Sequence, residues 1–286
     1  MNRSQIGIDC RAEYFYTARV NTDDDAPRVQ TLARFKKEHL KGHEYLSGSE
    51  ITLCLPDREV MVKALNLNNP DPADLEAVIR FELSQSLLDD ESDFAFDYLA
   101  TGTNGRYLGL VHRRECHRQL LSFYGFDEND EYIKTARYKM RAVALAEGYL
   151  KFCHHRAGEL VGLVDFNGPV VSVCFIYQNR PVDLAYLVPA GDYQVGEAAG
   201  KNFAADFKTM VNFRLNALNE AGVTVPLAAL VITGDEISES LKTVLERYFP
   251  VGIRAPRIIR EYFADPPENT DIPLEKYLVA LGLAVN

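Results

Sequence analysis

The chain has 286 residues, a net charge of −10 and an apolar content of 47%. This length can bury the core of one large domain or two ordinary domains, and the composition is that of a folded soluble protein. The acidic balance argues against a nucleic-acid partner, because binding to phosphates needs a basic surface. We find no signal peptide and no apolar run near the roughly 20 residues that cross a bilayer, so we expect a cytoplasmic protein.

The first predicted element is a three-strand meander that carries an acid at its first turn. Its strands are expected around Ile6–Asp9 and over residues 14–20 and 29–35, because these are short runs rich in β-branched and aromatic side chains. Asp9 stands at the end of the first strand. A short polar helix is predicted at residues 36–41.

An α/β subdomain is predicted over residues 48–130. Its strands are expected to form two hairpins, one from residues 51–55 and 60–67 around Pro56, and one from residues 94–100 and 107–112. Asp71 is the predicted N-cap of the helix between them, with Pro72 at the first helical position. Further helices are predicted at residues 114–123 and 137–152.

A second meander follows, with an acid at the same place. Its predicted strands are residues 160–166, 169–177 and 182–188, and the first turn is Asn167-Gly168, a dipeptide that favours tight hairpins. Asp165 therefore stands where Asp9 stands in the first meander. After it we predict a helix at 195–221, a strand ending at Gly234, and helices at 238–248 and 273–284. The alternation of strands and helices indicates an α/β class with two related halves.

The order of elements and several short motifs resemble the PilM family of type IV pilus assembly proteins, relatives of FtsA and of the cytoplasmic domain of GspL. The motifs are GID at 7–9, LEAVIRFELSQSL at 75–87, VDFNG at 164–168, VITGDE at 231–236 and LVALGLAV at 278–285. The resemblance implies the actin-like ATPase (ribonuclease H-like) fold. It implies a first half at 1–158 with the inserted subdomain, a reduced second half at 159–272, and a C-terminal helix at 273–286 that returns to the first half.

In that family, ATP and Mg²⁺ lie between the halves, held by the two acid-bearing turns and a glycine-rich turn. The resemblance assigns this role to Asp9, Asp165, Asn167, Gly168 and Gly234.

The turns themselves depart from the family pattern. Arg11 and Glu13 replace small residues after Asp9, and Pro169 removes a backbone N–H that a phosphate would use. Both later glycine turns now carry an acid, in Gly191-Asp192 and Gly234-Asp235. An acid about 4 Å from a phosphate costs on the order of 1 to 4 kcal/mol. We therefore predict a degenerate nucleotide site, no cofactor and no catalysis. An ATPase that binds ATP and Mg²⁺ is the alternative, and a small-molecule kinase of the same fold is a third.

In the PilM family, a groove beside the inserted subdomain binds a short cytoplasmic peptide of the membrane protein PilN. The resemblance thus implies a scaffold of a pilus or type II secretion-like assembly. Its partner would be the N-terminal cytoplasmic peptide of a PilN-like inner-membrane protein, through which the chain associates with the membrane. No metal site is predicted, since His112, Cys116 and His117 lack the paired short spacings of zinc ligands.

Overall fold

The computed structural model describes most of the chain. The described residues are 4–11, 13–22, 26–36, 46, 49–67, 71–103, 105–126, 136–167, 169–193, 197–234, 237–263 and 272–285. They form two compact units. The first unit comprises residues 1–59, 114–155 and 256–286, and the second comprises residues 60–113 and 156–255. The helix predicted at residues 36–41 falls outside the described residues, apart from Lys36 at the end of a strand.

The strands, in chain order, are β1 (Ser4–Cys10), β2 (Tyr14–Asn21), β3 (Arg28–Lys36), β4 (Glu50–Leu55), β5 (Val60–Asn66), β6 (Phe94–Ala100), β7 (Arg106–Arg113), β8 (Arg137–Met140), β9 (Leu160–Asn167), β10 (Val170–Tyr177), β11 (Arg180–Leu187), β12 (Leu227–Gly234) and β13 (Gly252–Arg254). The helices are α1 (Leu75–Ser84), α2 (Glu115–Tyr124), α3 (Arg141–Phe152), α4 (Glu197–Glu220), α5 (Glu239–Tyr248) and α6 (Leu278–Leu283). A 3₁₀ turn at Leu274–Tyr277 leads into α6.

The first unit is built on a five-stranded sheet in the order β3-β2-β1-β4-β8. Strands β1 to β3 form an antiparallel meander, and β4 and β8 extend the sheet in parallel from β1. Both α3 and α6 pack on this sheet, where their apolar side chains are almost all buried. The predicted meander is confirmed, and its acid-bearing strand β1 lies in the middle of the sheet.

The second unit repeats this arrangement in a sheet with the order β11-β10-β9-β12-β13. Strands β9 to β11 form the antiparallel meander, and β12 and β13 are parallel to β9. One face of the sheet packs against α4 and α5 through a core that includes Phe166, Phe203 and Phe207. The second predicted meander is confirmed, and the two sheets share one topology.

The second unit also contains a three-stranded antiparallel sheet in the order β5-β7-β6. Helix α1 covers one face of it, and Ile79 and Leu83 of the helix pack there against Leu65 and Val111. Gly109 of β7 permits this contact, because a Cβ at that position would lie 2.5 to 3.0 Å from the Leu83 side chain. The apolar side chains of α1 therefore belong to the core of this small sheet.

Three local predictions were wrong. Strands β4 and β5 do not form a hairpin, because β4 pairs with β1 and β8 while β5 pairs with β7. The segment Arg137–Met140 is the strand β8 and not the start of a helix. Helix α1 begins at Leu75, since Asp71 caps only a turn in which its Oδ1 accepts a hydrogen bond from the Ala73 N–H at 2.9 Å.

The first error has an identifiable cause. The turn between β4 and β5 contains Asp57, whose buried Oδ1 accepts a hydrogen bond from the Ala142 N–H at the start of α3, at 2.9 Å. This contact with a residue far along the chain holds the turn in place, and the composition of the turn alone does not reveal it.

The small sheet accordingly runs from Val60 to Arg113, a shorter stretch than residues 48–130. The predicted division at residue 158 follows the internal repeat, and it stays a prediction.

Helices α3 and α6 approach each other through glycines. A Cβ on Gly282 would collide with the Ala144 carbonyl oxygen and lie 2.7 Å from the Gly148 nitrogen, and a Cβ on Gly148 would collide with the Leu278 carbonyl oxygen. Backbone atoms cannot move aside as a flexible side chain can. The contact therefore requires glycine on both helices.

We expect Gly282→Ala to lower the free energy of unfolding by about 2 kcal/mol or more, because the added methyl overpacks a backbone contact. Gly158→Ala is the matched control: no atom lies within 4 Å of its Cβ position. It should change stability by less than about 0.5 kcal/mol. Urea denaturation of the two variants measures both values, and equal losses would contradict this account of the helix contact.

Candidate functional site

Asp9 lies at the end of β1 with no exposed surface. Its Oδ2 accepts a hydrogen bond from Nε of Arg11 at 3.1 Å, and its Oδ1 forms an ion pair with Nη2 of Arg141. Arg141 is the first residue of α3, and its Nη1 also lies 3.4 Å from Asp9 Oδ2. Both carboxylate oxygens are therefore engaged by guanidinium groups.

The two guanidinium groups are held by further contacts. Arg11 donates from Nη2 to the Lys276 carbonyl oxygen at 3.4 Å and lies over the Tyr16 ring, 5.2 Å from its centroid. Arg141 donates from Nη2 to the Cys10 carbonyl oxygen at 3.0 Å. Both arginine side chains are at most 4% exposed. The cluster thus buries two guanidinium groups beside the Asp9 carboxylate, and loss of one partner from a buried ion pair typically costs about 3 to 5 kcal/mol.

Sequence reasoning identified Asp9 and the bulky turn at Arg11 but missed Arg141. The reason is separation, because Arg141 is 132 residues from Asp9 and no local pattern marks it as a partner. Chemically, a carboxylate that orients Mg²⁺ or its water ligands must present free lone pairs to them. An Asp9 side chain committed to two arginines is poorly suited to that task.

The phenol of Tyr124, from α2, reaches the same end of the sheet. Its hydroxyl lies 3.3 Å from the Ile8 carbonyl oxygen and 3.4 Å from the Cys54 carbonyl oxygen, on β1 and β4. Burial raises the pKa of Tyr124 well above its ordinary value, and the nearby Cys54, Cys10 and Asp9 act in the same direction. Tyr124 is therefore a neutral donor to the backbone here, and no sequence pattern marked it as part of the site.

Asp165 occupies the equivalent position on β9, but its partner is different. It is fully buried, and its Oδ1 accepts a hydrogen bond from Thr233 Oγ1 of β12 at 3.0 Å. Gly234 follows with φ +99°, and a Cβ there would lie 2.6 Å from Asp165 Oδ1. Asp165 and Gly234 are thus close together. Because it has no side chain, Gly234 allows β12 to lie close to Asp165 and Phe166 of β9.

Two predicted site residues remain, Asn167 and Gly168, and only Asn167 is among the described residues. Asn167 is the half-buried last residue of β9, paired across the turn with Val170. Gly168 and Asp235 lie outside the described residues. Asp9 belongs to the first unit, whereas Asp165, Asn167 and Gly234 belong to the second.

A polar row crosses the second sheet beside Asp165. Thr233 on β12, Asp165 on β9 and Ser172 on β10 are neighbours in register, and all three side chains are buried. Among the described residues, no hydrogen-bond partner reaches the Ser172 hydroxyl. The sequence singled out Asp165 but not the two hydroxyls beside it. Together they make this end of the sheet polar in an otherwise apolar core.

Asp183 on β11 is a further buried acid, which the sequence reading missed. Its Oδ1 lies 3.8 Å from Nη1 of Arg214 on α4, and within the described residues its Oδ2 has no hydrogen-bond partner. Burial raises the pKa of Asp183 above its ordinary value of 3.8, and the positive charges of Arg214 and Arg106 oppose that shift. Burial therefore favours the protonated form of the Asp183 carboxyl more than solvent would.

Two kinds of feature are absent from the described part of the chain. No three His, Cys, Asp or Glu side chains there are grouped so that they could hold a metal ion. None of the helices described has both the length and the hydropathy that crossing a bilayer requires.

Comparison with known proteins identifies the fold. No protein-family model and no curated protein matches the sequence. The chain is similar to a solved structure of a PilM–PilN type IV pilus biogenesis complex, with a TM-score of 0.73 and 13% identity over 98% of this chain and 97% of that one. It is also similar to a Bacteroides thetaiotaomicron protein described as having an actin-like ATPase fold and unknown function, with a TM-score of 0.53 and 11% identity over 100% and 97% of the two chains.

A weaker similarity links the chain to the cytoplasmic domain of EpsL, an inner-membrane component of the type II secretion system of Vibrio cholerae. The TM-score is 0.43, with 10% identity over 86% and 94% of the two chains. The two stronger similarities confirm the predicted actin-like ATPase fold and the resemblance to PilM. At these identities, they establish the fold alone.

The raised pKa of Asp183 predicts a pH dependence of stability. Because folding favours the protonated carboxyl, the stability that Asp183 contributes is present below its ordinary value of 3.8 and is lost as the pH rises through its higher folded pKa. Asp183→Asn cannot titrate. We therefore expect the free energy of unfolding of this variant, relative to the unsubstituted protein, to increase between about pH 4 and about pH 7.

Urea denaturation at four pH values across that interval makes the measurement. The exposed Asp206→Asn variant is the control for general charge effects and should show a smaller dependence, because solvent screens exposed charges. A flat difference between Asp183→Asn and the unsubstituted protein would contradict the assignment.

Proposed function

We propose that this protein is a non-catalytic scaffold of a type IV pilus or related secretion assembly. In this proposal it binds the cytoplasmic N-terminal peptide of a PilN-like inner-membrane protein and is attached to the membrane through that partner. Its nucleotide site is degenerate, so it works without ATP or Mg²⁺.

The main support for a degenerate nucleotide site is the pairing of Asp9 with Arg11 and Arg141. A Mg²⁺ ion at this carboxylate would have to displace guanidinium groups that are themselves buried and hydrogen-bonded. Buried charges that lose their partner are costly, so the arginines would resist displacement. The acids of the altered glycine turns support the same reading, because they would repel phosphate.

The scaffold role is supported by the likeness to a protein solved in complex with PilN. It is also supported by exposed apolar surface. The segment 60–113 carries three large apolar side chains that solvent reaches, namely Met61 at 37%, Phe81 at 62% and Leu88 at 102% relative exposure. Exposed aromatic and aliphatic side chains of this kind are the anchors that protein interfaces use.

The proposal predicts that ATP with Mg²⁺ gives no binding heat in isothermal titration, up to millimolar nucleotide. The physical reason is that the Asp9 carboxylate is already neutralised by arginine. Micromolar binding would overturn the degenerate site, and its loss in Asp9→Ala and Asp165→Ala would then establish the ATPase alternative. Binding of the partner peptide by the same preparation shows that the protein is folded.

The proposal also predicts binding of a synthetic peptide with the cytoplasmic N-terminal sequence of the PilN-like protein encoded nearby. Phe81→Ser and Leu88→Ser should weaken this binding by about tenfold each, because truncation of an interface anchor typically costs 1 kcal/mol or more. Phe213→Ser is the matched control, since Phe213 is 68% exposed on α4, outside the segment 60–113. Fluorescence anisotropy with labelled peptide measures all three. Equal effects of the three substitutions would exclude the segment 60–113 as the binding surface.

A further inference from the structure

The negative charge of the protein is concentrated in one stretch of the chain. Residues 71–97, which run from the approach to α1 into β6, contain nine acids and one arginine, a net charge of −8. The whole chain has a net charge of −10, so its other residues are together nearly balanced. The same stretch carries Phe81 and Leu88, which are 62% and 102% exposed.

Three cations of the segment 60–113 lie close to these acids, and all three are engaged. Arg80 forms an ion pair with Glu91, and Arg113 forms one with Asp89. Lys63 donates from Nζ to a backbone carbonyl oxygen near the end of α1, at 2.9 Å. These contacts neutralise two of the acids and leave the others without compensation.

The remaining seven acids of the stretch have no cationic partner among the described residues. They are Asp71, Asp74, Glu76, Glu82, Asp90, Asp93 and Asp97. All but Glu82 are exposed. Three of them accept hydrogen bonds from backbone N–H groups, and such bonds leave a carboxylate its negative charge. The stretch therefore presents a strongly negative surface to solvent.

The exposed apolar side chains lie among these acids. Phe81 is on the outer face of α1, where Ala77 and Gln85, four residues before and after it, are exposed as well. Turns closed by backbone hydrogen bonds continue past the end of α1 as far as Leu87. Leu88 follows, and the next three residues of the chain are acids. A partner would thus meet apolar contact and negative charge on one surface.

We propose that the α1 surface, formed by α1 and residues 85–97, binds a basic segment of the partner, in which lysine or arginine side chains flank an aliphatic or aromatic one. The apolar side chain packs on Phe81 and Leu88, and the cations lie beside the acids that lack a partner. The excess of acids selects this occupant, because it attracts a cationic segment and repels an acidic one. This proposal rests on the scaffold proposal for the position of the surface and adds the charge of the segment that binds there.

Fluorescence anisotropy with the labelled N-terminal peptide of the PilN-like protein tests the charge. We expect its Kd to rise at least about tenfold between about 50 mM and about 500 mM salt, because salt screens the attraction. Two model peptides extend the test, acetyl-Gly-Lys-Leu-Phe-Lys-Gly amide and the same peptide with glutamate in place of both lysines. The lysine peptide should bind at millimolar protein, and the glutamate peptide should not.

Two paired substitutions locate the binding. Asp90→Asn with Asp93→Asn should weaken binding of the PilN-like peptide and of the lysine peptide at least about threefold at low salt, because exposed ion pairs each contribute modestly. An asparagine at position 90 keeps the oxygen that accepts the Ser92 N–H. Asp206→Asn with Glu220→Gln removes the same charge from exposed positions of α4 and is the matched control, which should bind normally.

The outcomes separate the two proposals. If the PilN-like peptide binds with an affinity that neither salt nor the Asp90 and Asp93 substitutions change, the charge assignment is refuted and the scaffold proposal stands. If only the lysine peptide binds, and the same substitutions weaken it, the charge assignment stands and the scaffold proposal fails. Equal weakening by the control pair would show an effect of net charge alone and refute the assignment to the α1 surface. Absence of binding by both peptides would overturn both proposals.

Discussion

The parallel pairing of β1 with β4, and of β9 with β12, determines the surroundings of the acid that each of β1 and β9 carries. The pairing makes β1 and β9 the middle strand of a sheet, buried on both faces. A polar side chain at the end of such a strand is cut off from water and must find a partner within the protein. Asp9 and Asp165 are both fully buried, so each needs one.

Asp9 and Asp165 have different kinds of partner in the two sheets. In the first unit the partners are two arginines, one from the adjacent turn and one from the start of α3. In the second unit the hydroxyl of Thr233 on the neighbouring strand serves Asp165. A common topology has therefore been kept while the chemistry at corresponding positions has diverged. The divergence at Asp9 is the one that bears on nucleotide binding.

Much of the fold could be predicted from the sequence because its signals are local. Short runs rich in β-branched and aromatic residues marked both meanders, and α5 begins next to Ser238, where the predicted helix begins and whose hydroxyl accepts a hydrogen bond from the Leu241 N–H. Two of the three errors arose where a residue far along the chain determines the structure. Asp57 turns the chain toward α3, and β8 is a strand only because β4 offers it an edge. Within the candidate site the same rule holds, since Asp9, Asp165 and Gly234 were identified and Arg141 was not.

The first unit draws its core from segments far apart in the chain. Helix α6 packs on α3 and β1, through the glycine contacts of Gly282 and Gly7, although more than 260 residues separate it from β1. During synthesis, β1 to β4 and α3 emerge long before α6 can cover them, whereas both segments of the second unit are complete by residue 255. Domains generally fold as units while the chain is being made. The core of the first unit can thus close only after α6 has been made, and until then the apolar surface that α6 covers on α3 and β1 stays open.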